Sequence, residues 1–283
     1  MSLRIRTIAR LTGVREATLR AWERRYGFPR PMRAENNYRI YSRDEAEAIR
    51  RVAALLREGY SASEAIDQVR SVAPGAAPVL EQARERFWSA VAALDAEGAE
   101  AALDQAQRAV LPVSFCDGVL LPALREMTDR LDVAREHLAS ALVRQRLRAL
   151  AQAPGPASGP RAVLACPSGE RHEGGLLGLG VHLRAMGWRL TVLGADTPAE
   201  AVVEAARRVG ADVVALSFIT ARAPEEVEAY VRTVVAGSAA PVVVGGPVAR
   251  DNARRAAAAG ARVAESAEEI AALARRPPLA GAR

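Results

Sequence analysis

The residues best suited to chemistry stand together in Cys166-Pro-Ser-Gly169-Glu170-Arg171-His172-Glu173-Gly174-Gly175. The distinctive feature is one imidazole, His172, with a carboxylate, Glu170, two residues earlier. A neutral His is the commonest metal ligand, and a carboxylate on its other ring nitrogen fixes the tautomer and raises its basicity. The glycines let backbone approach a ligand closely, and a helix starting near Gly174 attracts anionic groups. A lone His is more often a surface or capping residue, so the spacing has to carry the argument. The stretch is not a P-loop, because the chain has no Lys, and it is a poor Gly-x-Gly-x-x-Gly. Cys116 and Cys166 lack a Cys-x-x-Cys partner, which weighs against a disulfide framework and a cysteine zinc site. No Ser/His/Asp set and no pair of catalytic carboxylates stands out.

A second chemistry lies at the other end. Arg15, Thr18, Arg20, Arg24 and Arg25 fall away from the apolar face made by Leu19 and Trp22, and Tyr38 and Arg39 follow on a neighbouring segment. Arg grips phosphates and reads guanine bidentately, and Thr can touch a thymine methyl. The charge agrees. The 283 residues carry a formal +6, and residues 1–75 alone hold 15 Arg against nine acids. The remaining residues hold 24 of each and balance. A neutral body with a basic end points to a module that binds a polyanion, with something else attached.

The elements that must position these groups follow from periodicity. Ile8, Leu11, Val14, Leu19 and Trp22 make one inward face over two short helices, with Gly13 as the turn between them, the helix-turn-helix layout. Pro29 and Pro31 end the second helix, and Tyr38-Arg-Ile-Tyr41 alternates like a short strand, a wing. Ser42-Arg-Asp-Glu45 has capping-box spacing, so a helix is expected over 43–58, with another opened by Ser61 and Ser63 and ending before Pro74. Residues 73–78 and 153–160 read as linkers. Between them, Ala- and Leu-rich sequence predicts a helical bundle, with helices at 79–96, 98–110, 113–129 and 132–150. From 161 onward, five short apolar runs alternate with helices, the last two helices at 249–259 and 267–275. That pattern predicts a doubly wound parallel sheet whose ligand sits at the carboxyl ends of the strands. Three domains are therefore expected: 1–74, 79–152 and 161–283. No signal peptide or apolar run of roughly 18 residues is present, so a cytoplasmic, soluble chain is expected and no membrane partner.

Arg20-Ala-Trp-Glu-Arg-Arg-Tyr-Gly-Phe-Pro29 followed by Tyr38-Arg-Ile-Tyr41 closely resembles the winged-helix domain of MerR-family transcription regulators, over about residues 3–72. The resemblance implies a homodimer on an inverted repeat of double-stranded operator DNA. That family's long coiled coil is missing, since Pro74 and Pro78 interrupt. Glu170-x-His172-x-x-Gly175, with Ser217 and then Gly245-Gly246, resembles the cobalamin-binding domain of methionine synthase and the mutases. It implies a Rossmann-like, flavodoxin-like domain in which His172 ligates cobalt from below, with Glu170, Gly175, Ser217, Gly245 and Gly246 around the cofactor. Glu replaces that family's Asp, and the Leu of its Ser-x-Leu is missing. The bundle resembles the cap over cobalamin's upper face, where Glu136 and His137 match a motif.

The order of the three parts is similar to the CarA/CarH type of repressor of light-induced carotenoid synthesis, closest to the CarA branch. The resemblance implies a repressor, not an enzyme, holding adenosylcobalamin or methylcobalamin and acting as a dimer or tetramer. In the light-sensing branch, adenosylcobalamin drives tetramerisation and DNA binding, and light undoes both. That branch has a Trp ahead of the Glu-His pair, and residues 121–136 contain none. Without that bulky group the adenosyl moiety loses packing. The alternative expectation is therefore a repressor with a structural or vestigial cobalamin domain, for which the cofactor is dispensable. An acidic antirepressor protein would then release it from DNA by mimicking phosphates. A cobalamin-dependent methyl carrier or mutase is the poorest fit, because the chain has no room for a substrate barrel.

Overall fold

The computed structural model describes residues 3–29, 31–33, 39–57, 62, 65–66, 69, 76–127, 132–154, 158–264 and 266–274. The chain forms two compact units, Met1–Ala139 and Ser140–Arg283.

In the first unit, β1 (Leu3–Arg4) leads into α1 (Ile5–Thr12) and α2 (Glu16–Tyr26), followed by β2 (Met32–Arg33) and β3 (Arg39–Tyr41). Gly13 ends α1 at φ 72° and Gly27 ends α2 at φ 60°. Both lie in the left-handed region where glycine carries no Cβ penalty. The strands form a small antiparallel sheet in the order β1-β3-β2, with Leu3 opposite Tyr41 and Met32 opposite Ile40. Ile8, Leu19, Trp22, Phe28, Tyr41 and Ile49 share one buried core with Val14 packed against it, so the expected apolar face turns inward except at Leu11, which is half-buried and outside that core. The capping box at α3 (Arg43–Arg57) is formed: Ser42 N–H donates to Glu45 Oε2 at 2.8 Å, and Glu45 N–H to Ser42 Oγ at 3.0 Å.

Helices α4 (Ala76–Ala92) and α5 (Ala96–Ala109) pair next, the turn capped by Asp95, which accepts from Gly98 N–H at 2.9 Å. Helix α4 begins inside the segment expected to be a linker. Pro78 is tolerated there because the first turn has no intrahelical use for its missing N–H. The single helix expected over 113–129 is three pieces: α6 (Pro112–Phe115), a π-helical turn (Cys116–Leu120) and α7 (Leu121–Glu126). Pro122 accounts for the break, since it offers no donor to the carbonyl four residues back. Glu126 holds this segment to α4 by pairing with Arg84 and accepting from Trp88 Nε1 at 2.8 Å. Helix α8 (Val133–Gln152) starts in this unit and ends in the second.

The second unit holds β4 (Arg161–Pro167), α9 (Gly174–Ala185), β5 (Arg189–Thr197), α10 (Ala199–Val209), β6 (Val213–Ser217), α11 (Pro224–Gly237) and β7 (Val242–Gly245). After these come α12 (Pro247–Asp251), α13 (Ala253–Ala258), β8 (Arg262–Val263) and α14 (Ala267–Ala274). All five strands are parallel, in the order β5-β4-β6-β7-β8. Val-rich strands with both faces covered explain the near-continuous apolar runs. One core lies under α10, α11, α12 and α13, the other under α9 and α14. The helix expected over 249–259 is split at Asn252, whose Nδ2 donates to Val248 O at 2.9 Å and competes with the helical ladder. After β5 the chain returns to the far side of β4, so the topological switch point, where such sheets bind ligands, lies between β4 and β6.

Candidate functional site

The candidate cofactor site stands at that switch point. Strand β4 ends at Pro167, and Gly169, at φ 78°, turns the chain so that its N–H meets Asp196 Oδ1 at 2.7 Å. The turn delivers the Glu170 side chain to the interior, where it is fully buried. Its carboxylate collects five donors. Oε1 accepts from His172 N–H at 2.9 Å and Thr220 Oγ1 at 2.9 Å, and faces His172 Nδ1 at 2.8 Å. Oε2 accepts from Ile219 N–H at 2.9 Å and Thr220 N–H at 2.6 Å. Burial works to raise this carboxyl, but the N–H donations from Thr220, His172 and Ile219 outweigh it, and it falls to about 2. Glu170 is therefore ionised across the whole physiological range.

An ionised carboxylate beside Nδ1 places the ring proton there. The Nε2 lone pair is then available, and the His172 side chain is 69 % exposed. One ring nitrogen held by Glu170 and the other left outside that clamp, on a side chain open to solvent, is a donor set that a single metal position could use, so the residues present fit a cobalt–corrin ligand. Gly175, at the start of α9, has open space where a Cβ would point. Ser217, buried, ends β6 in register with Gly245. Gly246 takes φ 94°, and a Cβ there would lie 2.3 Å from Phe218 O. The Gly-Gly pair thus lets β7 turn tightly over the loop after β6. Cys166, at the end of β4, is buried, and that burial, helped by Glu170 and Glu173, drives its thiol up to about 12.

Thr220 and Arg222 were not among the residues the sequence pointed to. The hydroxyl on Glu170 belongs to Thr220, three residues beyond the serine. Arg222 roofs the same loop, 5.7 Å over the Phe218 ring, with Nη1 donating to Ser168 O at 3.1 Å. The available signal was position: both follow the strand across the switch point from Glu170. Glu136 and His137 lie exposed in the first turn of α8, in the other unit.

The candidate nucleic-acid face is on the first unit. Arg15, Arg20, Arg24 and Arg25 are exposed and Thr18 half-buried, all on or immediately before α2. Arg39 is held by Glu23 at 2.7 Å, which ties the wing strand to α2. Tyr38 lies outside the described residues. The structure adds Arg4, Arg6 and Arg10, which share a hollow of about 630 Å³ with Arg20, Arg39 and Glu16.

Residues 3–71 match the model of the MerR HTH family of regulatory proteins, and residues 83–151 and 160–274 each match a B12-binding domain. The HTH-type transcriptional repressor CarA of Myxococcus xanthus is 60 % identical over 277 residues, 96 % of each chain. The repressor CarH of the same organism is 35 % identical over 269 residues, 88 % of this chain and 90 % of that one. The monomethylamine corrinoid protein of Methanosarcina barkeri shares the fold, with a TM-score of 0.51 over 69 % of this chain and 97 % of its own at 18 % identity. A basic winged head, a helical region and a B12-binding sheet domain occur here in one chain that is similar to both repressors along nearly its whole length, and the chain belongs to the MerR family of HTH-type transcriptional repressors, in its CarA/CarH group.

Proposed function

We propose that the chain represses genes of light-induced carotenoid synthesis in the cytoplasm, as a DNA-binding regulator rather than an enzyme. The α2 and wing cations grip operator DNA, with one recognition helix per half-site of an inverted repeat in a dimer or tetramer. Domains at 1–74, 79–152 and 161–283 divide the work between DNA binding, capping and cofactor binding. The observation that carries the sensor half is the Glu170 clamp, which takes one ring nitrogen of His172 and leaves the other outside it on an exposed side chain. Bound cobalamin, as adenosylcobalamin or methylcobalamin, would supply a cobalt centre, and His172 would be the residue that holds it. Gly175, Ser217, Gly245 and Gly246 would contact the cofactor within the sheet domain, and Glu136 and His137 would serve the cap. The chain's own residues hold a proton on Nδ1, keep Glu170 charged and fix the loop.

One observation favours a second reading. Residues 121–136 carry no Trp, and Trp88 is engaged with Glu126. In that reading cobalamin is structural or dispensable, and an acidic antirepressor releases the head from DNA. The test is to purify the chain with adenosylcobalamin and measure spectrum, mass and operator affinity in darkness and after illumination. A cofactor-dependent, light-sensitive affinity supports cobalamin control. Equal affinity with and without cofactor supports the second reading.

A further inference from the structure

The imidazole loop is held at one side by Glu170. Its other side is held by a contact that neither the motif nor the clamp uses. Arg148 Nη2, near the end of α8, lies 2.6 Å from each carboxylate oxygen of Glu173. Glu173 is the residue after His172, its side chain is 9 % exposed, and its carbonyl accepts Leu177 N–H at 2.9 Å in the first turn of α9. The pair thus joins α8 to the joint between the imidazole and α9.

A third element makes room for this pair. Gly194 of β5 takes φ 86°, and a Cβ there would lie 2.8 Å from Glu173 Oε2 and 3.1 Å from Arg148 Nη2. The register of β5 against β4 slips at this point. A strand position with no side chain, in a backbone conformation suited to glycine, faces the carboxylate.

We infer that Arg148, Glu173 and Gly194 form a latch that sets the direction of the His172 imidazole, acting as positioning residues for the cobalt ligand. The inference rests on the reading of His172 as that ligand. The physical reason is the burial of Glu173. A carboxylate removed from water needs its partner, and without it the group turns toward solvent and takes the adjoining residue with it. Outer contacts of this kind set a ligand's orientation and basicity.

The experiment compares wild type, Arg148→Met, Arg148→Lys and Gly194→Ala in the full chain. Amide exchange of residues 168–176 is measured without cofactor, with β6 and β7 as the internal reference, and adenosylcobalamin is then titrated by absorbance. In Arg148→Met the loop should exchange about tenfold faster while β6 and β7 are unchanged. Its cobalamin affinity should fall about 10- to 100-fold, with the spectrum moving toward the form lacking imidazole on cobalt. Arg148→Lys should restore the spectrum. Gly194→Ala, which crowds the same carboxylate while leaving both charges, should shift loop and spectrum in the same direction as Arg148→Met. Wild-type loop exchange and an unchanged spectrum in Arg148→Met and Gly194→Ala would overturn the latch and leave the cobalamin reading standing. If wild type itself takes up no cobalamin, that reading falls, and loop exchange alone decides the latch: faster in both variants supports it, equal rates overturn it.

Discussion

Glu170 and Thr220 decide what His172 can do. Replacing Glu170 with Gln removes the charge that three backbone N–H groups, the Thr220 hydroxyl and Nδ1 of His172 are aimed at. A lost buried, charge-assisted hydrogen-bond set of this kind should destabilise the second unit by about 1–3 kcal/mol in urea unfolding, and weaken cobalamin binding about 10- to 100-fold. Thr220→Val should lower stability by about 1 kcal/mol through its lost hydroxyl. The pH dependence has a fixed sign. The folded Glu170 carboxyl sits at about 2 against an ordinary 4.5, so its contribution is complete above pH 4.5 and disappears as the pH falls toward 2. Acid titration of Glu170→Gln should therefore lack that part of the wild-type loss. At the DNA face, Arg20→Ala or Arg24→Ala should weaken operator binding by about 1–3 kcal/mol where the side chain reads a base, and lower the salt slope by about one where it only meets phosphate. Anisotropy across a salt series separates the two. Unchanged affinity at both positions would place the recognition surface elsewhere. At this scale the sequence revealed the Glu-His pair, because its spacing is local. It did not reveal Thr220 or Arg148, because each reaches the loop from a different element through a tertiary contact.

At the scale of elements, legibility followed the strength of the local signal. The Ser42–Glu45 capping box, the glycine stops at Gly13 and Gly27, and all five strands of the large sheet were readable, since each rests on residues adjacent in sequence. The π-helical turn at Cys116–Leu120 and the split at Asn252 were not, since both are departures inside otherwise helical patterns. The start of α4 at Ala76 was misread because Pro looks like a breaker even where a first turn accepts it. Gly246 gives this scale its sharpest prediction. Gly246→Ala would press a methyl against Phe218 O at a positive φ, and should lower stability by roughly 2–3 kcal/mol. Its displacement of the loop after β6 should also loosen the Ile219 and Thr220 N–H groups from Glu170. A melt identical to wild type would mean that β7 can turn without that glycine.

At the scale of the whole molecule, the excess positive charge is confined to residues 1–75, where the winged head lies, and the rest is neutral. Two segments that match B12-binding domains follow it in one chain. The order of parts was legible from charge and composition. The division into Met1–Ala139 and Ser140–Arg283 was not, because it falls within α8, a helix whose sequence carries no interruption. The central claim is that a basic DNA-binding head is joined to a corrin site whose metal donor is His172. The most direct measurement is the absorption spectrum of the purified full chain titrated with adenosylcobalamin, set beside His172→Ala. Wild type should give the spectrum of cobalamin with a protein imidazole on cobalt, and the variant should lose it. The same spectrum in both proteins would contradict the central claim.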